Sequence, residues 1–226
     1  MNRIAIIVAM DKELALLRPH LEGESTLETN GFTYYCGRMG GRDVVVGKCG
    51  IGKVNAAIGA LSLVDTFHPS MVINTGVAGG TGAGNPPAEV LDLVLASEIA
   101  YHDVWCGPGT ERGQAAGYPA RFECPLPADI RAALGAKGGL LASGDIFVDD
   151  PADLERILSL YPDAVAVDME SAAIAQVCAL KDVPFVCLRV VSDTPGEGGN
   201  MAAYNNFWTD APARTFASVV KLLELL

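Results

Sequence analysis

Basic residues are scarce in this chain: 16 Lys and Arg stand against 27 Asp and Glu, a formal charge of −11. Nucleic acids and anionic membrane surfaces are bound through basic patches, so this balance argues against both as partners. Long hydrophobic runs are missing as well. No stretch approaches the roughly 18 consecutive apolar residues of a membrane span, although 50% of the residues are hydrophobic. The opening Met1-Asn-Arg-Ile-Ala-Ile-Ile-Val-Ala-Met-Asp-Lys12 has no signal-peptide layout, and Ile4 to Met10 reads as a buried strand. Histidine is rare, and the three residues His20, His68 and His102 have no metal-ligand spacing. His68, before Pro69, reads as a structural helix end. The six cysteines (36, 49, 106, 124, 178 and 187) include no C-x-x-C. They are expected as reduced thiols of a cytoplasmic protein, with Cys178 and Cys187 in the core.

What is present points to an α/β chain. Small residues and Val are abundant, as a sheet covered on both faces requires. No repeat or internal boundary shows, so residues 1–226 are expected to form one domain. The stretch Ala166 to Thr194 organises the rest. Ala164 to Val167 reads as the end of a buried strand. Ala172, Ala173 and Ala175 favour helix, with Ile174, Val177 and Cys178 as its apolar face. Phe185 to Val191 is a Val-rich run of strand length. The pattern predicts a right-handed crossover between parallel strands. Glu170 and Asp193 then both lie just past strand ends, on the edge where open α/β sheets bind ligands. Taken singly, Glu170 reads equally as a helix cap and Asp193 as the start of a turn. As a pair, with Arg189 and Ser192 beside them, they read as a site.

Elsewhere, Ile4 to Ala9 predicts a strand followed by a helix from Lys12 that Pro19 disturbs, which puts Glu13 past a third strand end. Gly23 to Asn30 reads as a polar loop. Phe32 to Arg38 and Asp43 to Lys48 read as a hairpin around Met39-Gly-Gly-Arg42. Val54, Ala57, Ile58, Leu61 and Val64 predict the buried face of a helix opened by Gly50-Ile-Gly-Lys53. Gly47 to Lys53 also matches a phosphate-binding P-loop, except that Val54 stands where Ser or Thr would hold Mg²⁺. Met71 to Asn74 reads as a strand and Thr75 to Gly80 as a Gly-rich loop that lets a ligand approach the backbone. A Gly/Pro linker over Thr81 to Ala88 and one strand or two over Val90 to Ile99 follow. Gly107 to Ala120 is a long loop with little core of its own, suited to a lid or an interface. Leu140 to Val148 reads as an interrupted strand with Phe147 near its end. Pro151 to Leu160 reads as a helix capped by Asp149 or Asp150. Thr194 to Gly199 reads as a flexible loop, and Ala211 to Leu226 as a final helix.

Seven of these stretches, in order, carry a resemblance. They are Ile6-Ile-Val-Ala-Met-x-x-Glu13, Gly50-Ile-Gly-Lys-Val54, Ile73-Asn-Thr-Gly-Val-Ala-Gly-Gly80, Tyr101-His-Asp103, Ser143-Gly-Asp-Ile-Phe-Val148, Val167-Asp-Met-Glu170 and Arg189-Val-Val-Ser-Asp193. The chain resembles the 5′-methylthioadenosine/S-adenosylhomocysteine nucleosidases of the nucleoside phosphorylase superfamily. The resemblance implies a single domain with a twisted mixed central sheet flanked by helices. It implies hydrolysis of the N-glycosidic bond of 5′-methylthioadenosine and S-adenosylhomocysteine, with Asp193 as general acid to purine N7 and Glu13 activating water near Arg189. Glu170 would bind the ribose hydroxyls, with Met169 under the sugar. Phe147 would stack on adenine while the Val148 backbone reads its edge. Ser192, Ala78, Gly79, Ile51 and Tyr204 complete the implied substrate contacts, and a homodimer partner reaches the 5′ end.

The residue types suit that chemistry. Glycoside cleavage passes through an oxocarbenium-like sugar. The leaving base needs an acid of raised pKa, the water needs a base, and a further carboxylate favours positive charge at the anomeric carbon. No metal or organic cofactor is required. Three departures stand out: Asp168 where the family has Glu, Val77 where it often has Ser, and Val104-Trp-Cys-Gly-Pro-Gly109 in place of an aromatic-containing run. The alternatives are a phosphate-dependent phosphorylase, a hydrolase of an aminodeoxyfutalosine-type nucleoside, and a non-enzymatic nucleoside sensor, which would lack an acid at position 13 or 193.

Overall fold

A computed structural model describes residues 3–195, 199–210 and 212–226, without the side chains of 209, 210 and 212–215. Residues 196–198, in the loop expected over Thr194 to Gly199, lie outside the described residues. The chain begins with β1 (Ile4–Val8), α1 (Asp11–Leu17) and a 3₁₀ turn (Arg18–His20) around Pro19. Next come β2 (Glu22–Thr29), β3 (Phe32–Met39), β4 (Arg42–Lys48), α2 (Lys53–Phe67) and β5 (Met71–Gly80). The middle holds β6 (Leu93–Leu95), β7 (Glu98–Tyr101), β8 (Phe122–Glu123), α3 (Ala128–Leu134), β9 (Leu140–Ser143) and α4 (Pro151–Leu160). It closes with β10 (Ala164–Asp168), α5 (Ser171–Lys181), β11 (Phe185–Asp193), α6 (Asn200–Asp210) and α7 (Pro212–Leu225).

Among the described residues, eleven strands form one mixed sheet in the order β2-β3-β4-β1-β5-β10-β9-β7-β8, with β11 paired to β5 and β6. Helices cover both faces. Along β1, Ala5 and Ile7 pack with α2 and α5, while Ile4, Ile6 and Val8 pack with α1 and α7. This period-two division of a fully buried strand is why β1 reads as an unbroken apolar run.

Several elements differ from expectation. Glu22–Thr29 is a strand, not a loop. It pairs antiparallel with β3 at the sheet edge and is exposed on both faces, so no apolar alternation marks it. Thr75–Gly80 is not a loop but the continuation of β5, paired to β11 as far as Gly79. The crossover is also different. β5 lies between β10 and β11, parallel to β11 and antiparallel to β10, so β10 and β11 are not a parallel pair. Their ends still reach one place, because β10 meets the far end of β5 at Gly79 and Gly80.

Of the face expected to be buried on α2, Val64 is buried and Ala57 half-buried, but Val54, Ile58 and Leu61 are exposed. Ala56, Gly59, Ala60, Leu63 and Val64 face the sheet. Val54 is 68% exposed and Ile58 54% exposed, with Leu61 at 38%. Both stripes have helical spacing. The small-residue stripe wins because the helix lies so close that a Cβ on Gly59 would come within 2.4 Å of the Cys49 Cβ. The loop over Gly107 to Ala120, the cap of α4 by Asp150 and the place of His68 at the end of α2 are as expected, and His68 there is left-handed. Helices α3 and α6 and the short β8 were not foreseen.

Candidate functional site

Each carboxylate is brought to the site by a different strand end. Beyond β1, Glu13 is the third residue of α1, and its Oε2 accepts the N–H groups of Ala9 and Met10, both at 2.9 Å. Its Oε1 accepts the Val77 N–H at 3.1 Å. Burial pushes this carboxyl above its ordinary value, opposed by the Arg189 charge and by those three amides.

Glu170 follows β10 and directly precedes α5, yet its side chain does not cap the helix. Asp168 takes that role, accepting from the Ser171 N–H at 3.2 Å. The Glu170 side chain instead accepts the Gly52 N–H at 3.0 Å. Burial, then the neighbouring Asp168 charge, pushes Glu170 up to about 7, against Arg189 and the Gly52 amide.

Asp193 ends β11. Between Val191 and Asp193 the register to β5 slips by one, leaving Ser192 as the extra residue of a bulge. Such a bulge turns the next side chain, and here it delivers Asp193 to the site. The Ser192 hydroxyl donates to Asp193 Oδ1 at 2.6 Å, and Asn200 Nδ2 approaches Oδ2 at 3.4 Å. Burial raises the Asp193 pKa, and these two donors lower it.

The three carboxylates line one cleft with about 600 Å³ of open space, its mouth included. Its floor and walls include Ala78, Gly79, Met169, Ser192 and Val148, with Val77 beside Glu13. Ile51, 50% exposed, is at the rim. Phe147 and Tyr204 form an aromatic edge with ring centroids 5.6 Å apart, and the Tyr204 hydroxyl meets Met10 Sδ at 3.4 Å. Arg189 differs from the other expected site residues in not lining the cleft. It is 1% exposed, held by Asp168, by Asn74 Oδ1 at 2.7 Å and by Ser171 Oγ at 2.9 Å, with Glu170 Oε2 at 3.7 Å.

The P-loop match resolves differently. The Gly52 N–H goes to Glu170 and the Lys53 N–H to Asp145 Oδ1 at 2.7 Å, while Lys53 Nζ pairs with Asp103 Oδ2 at 2.7 Å. Amides that would cradle a phosphate hold carboxylates instead. Sequence reasoning missed Asn200, whose amide also donates to the Val148 carbonyl at 3.1 Å. Its only signal was an Asn following Gly199 at a helix start.

Known proteins resemble both the sequence and this geometry. The family model described as "Phosphorylase superfamily" matches residues 3–224. A 5′-methylthioadenosine/S-adenosylhomocysteine nucleosidase of Geobacillus thermodenitrificans is 40% identical over 233 residues, covering 99% of this chain and 97% of its own length. The Neisseria meningitidis nucleosidase of that name, solved with methylthio-immucillin-A, superposes with a TM-score of 0.90 at 33% identity, over 100% of both chains. The nucleosidase of Colwellia psychrerythraea, solved with adenine, gives 0.88 at 34% identity, over 98% of this chain and 94% of its own. The chain therefore belongs to the phosphorylase superfamily and, within it, to the 5′-methylthioadenosine/S-adenosylhomocysteine nucleosidase family.

Proposed function

We propose that this protein hydrolyses 5′-methylthioadenosine and S-adenosylhomocysteine to adenine and a thioribose product. In this reading, Asp193, whose pKa burial raises, gives a proton to N7 of the leaving purine. Glu13 orients a water molecule and takes its proton. Glu170 accepts the ribose hydroxyls and favours the positive charge that develops on the sugar. Met169 packs under the sugar, and Phe147 and Tyr204 flank the base, whose edge meets the Val148 backbone. Arg189 acts from outside the cleft, holding Asp168 and lowering the cost of charge on Glu13 and Glu170.

The observation that carries hydrolysis over phosphorolysis is the placement of Glu13. Its carboxylate takes the Ala9, Met10 and Val77 amides, donors a phosphate would otherwise need at that strand end. Arg189 is the nearby cation, and Asp168 already neutralises it. The test is adenine release from a panel of 5′-substituted adenosines. Turnover of the methylthio and homocysteinyl nucleosides is expected. Adenine release confined to a substrate with a bulky carboxylated 5′ group would favour a futalosine-type substrate.

We also infer that two copies of the chain associate through α2 and α5. Val54, Ile58 and Leu61 run from the rim residue Ile51 along α2, and Leu180 adds to them from α5 at 62% exposure. A stripe of large apolar side chains continuous with the cleft suits a second copy that closes the site. Six unpaired cysteines, four of them buried, support a reducing compartment such as the cytoplasm. No helix among the described residues is long and apolar enough to cross a membrane.

A further inference from the structure

Asp193 ends β11 and Val148 follows β9, and these two strands do not pair. What joins them is Asn200, the first residue of α6, only 6% exposed. One amide nitrogen donates to the Val148 carbonyl at 3.1 Å and to Asp193 Oδ2 at 3.4 Å. Asn200 does not line the cleft, so it approaches both groups from outside the substrate space.

We propose that Asn200 is a positioning residue for the acid, holding Asp193 Oδ2 against the base-reading segment so that the carboxylate left by proton transfer meets a donor already in place. The proposal rests on Asp193 being the acid. As the C1′–N9 bond breaks, its electron pair goes to the purine and the Asp193 proton goes to N7, leaving Asp193 as carboxylate. Each carboxylate oxygen has two lone-pair sites. Ser192 occupies one on Oδ1 and Asn200 one on Oδ2, which leaves room for the transferable proton on the cleft side.

Several groups bear on this ionisation. Ser192 acts from β11 itself, and Asn200 and Tyr204 from α6. Glu13 of α1, Glu170 ahead of α5 and Asp168 of β10 line the same cleft. The acids oppose a negative Asp193, whereas the Asn200 amide favours it. A hydrogen bond to a charged group that exists before the reaction costs no reorganisation during it.

The test is single-turnover adenine release across pH 5 to 10 for wild type, Asn200→Ala and Asn200→Gln. Activity needs the protonated acid, so it falls as pH rises through the Asp193 pKa. Removing a donor to the carboxylate raises that pKa and moves the alkaline limb upward. For Asn200→Ala we expect a limb shifted up by about one unit and a rate about tenfold lower, as for one charge-assisted bond. KM should change less than about threefold, and Gln should restore part of both effects. If the Ala variant melts below assay temperature, Asn200→Ser, which keeps a shorter donor, should give an intermediate shift. A wild-type limb in the folded variant, with or without slower turnover, overturns the role of Asn200. Absence of adenine release by the wild type would instead overturn the enzymatic reading itself.

Discussion

One methyl group on β5 should disable the site. Gly76 has φ +149°, and a Cβ there would lie 2.3 Å from Glu13 Oε1 and 2.5 Å from Arg189 Nη1. Unbonded carbon contacts are comfortable at about 3.5 to 4.0 Å, so Gly76→Ala demands a displacement of about 1 Å. Neither neighbour yields cheaply. Three backbone amides hold Glu13, and Asp168, Asn74 and Ser171 hold Arg189. Overpacking costs about 1 to 3 kcal/mol and the unfavourable φ about 1 to 3 more, together roughly 2 to 6 kcal/mol. For a domain of this size the melting temperature should fall by on the order of 10 °C. In the role proposed for Glu13, a 1 Å misplacement costs about 10²-fold in rate. Adenine release at a temperature where the variant is folded by circular dichroism, beside its melting curve, reads both effects. A kcat/KM within about threefold of wild type would refute the tight packing of Glu13 and Arg189 on Gly76 as the reason glycine stands there.

Asp193→Asn removes the transferable proton, so turnover should fall by about 10² to 10⁴ while purine binding measured by calorimetry weakens far less; near-normal turnover would take Asp193 out of the acid's role. Glu170→Gln tests charge and stability together. The folded-state pKa of Glu170 is raised, from 4.5 to about 7, so its favourable contribution is complete below about pH 4.5 and is lost as pH rises through about 7. The wild-type melting temperature should therefore decline across pH 5 to 8 more steeply than that of Glu170→Gln, and parallel curves would show that Glu170 is not strained by ionisation. Ile58→Asp places a charge on the exposed stripe of α2, and light scattering at micromolar concentration should report a wild-type dimer and a monomeric variant; a fully active monomeric wild type would end the dimer reading.

How much of this was legible in the sequence depended on how local the signal was. Buried strands with apolar runs, such as Ile4–Val8 and Phe185–Val191, announce themselves because both faces are covered. Acids directly beyond those runs place Glu13 and Asp193 on the ligand edge. β2 carried no such signal, since a strand wet on both sides has no reason to alternate. The glycines of Thr75–Gly80 imitate a loop, although Gly76 serves close approach inside a strand. On α2 two apolar stripes competed, and only the distance to Cys49 decides between them. The position of β5 between β10 and β11 is a long-range pairing that no window of residues encodes. Asn200 was invisible for the same reason, because its partners Val148 and Asp193 are distant in sequence or on another element.

The central claim is that water, not phosphate, attacks the sugar. Two carboxylates facing a dianion are each repelled by about 4 kcal/mol at close range and intermediate dielectric, and the amides of the first strand end are already taken by Glu13. The direct measurement is the sugar product from 5′-methylthioadenosine, identified by mass spectrometry and ³¹P NMR in phosphate-free buffer and in phosphate on the order of tens of millimolar, well above a typical KM. The account predicts free methylthioribose and one rate of adenine release in both buffers. A sugar 1-phosphate, or a rate that rises in proportion to phosphate, would contradict it.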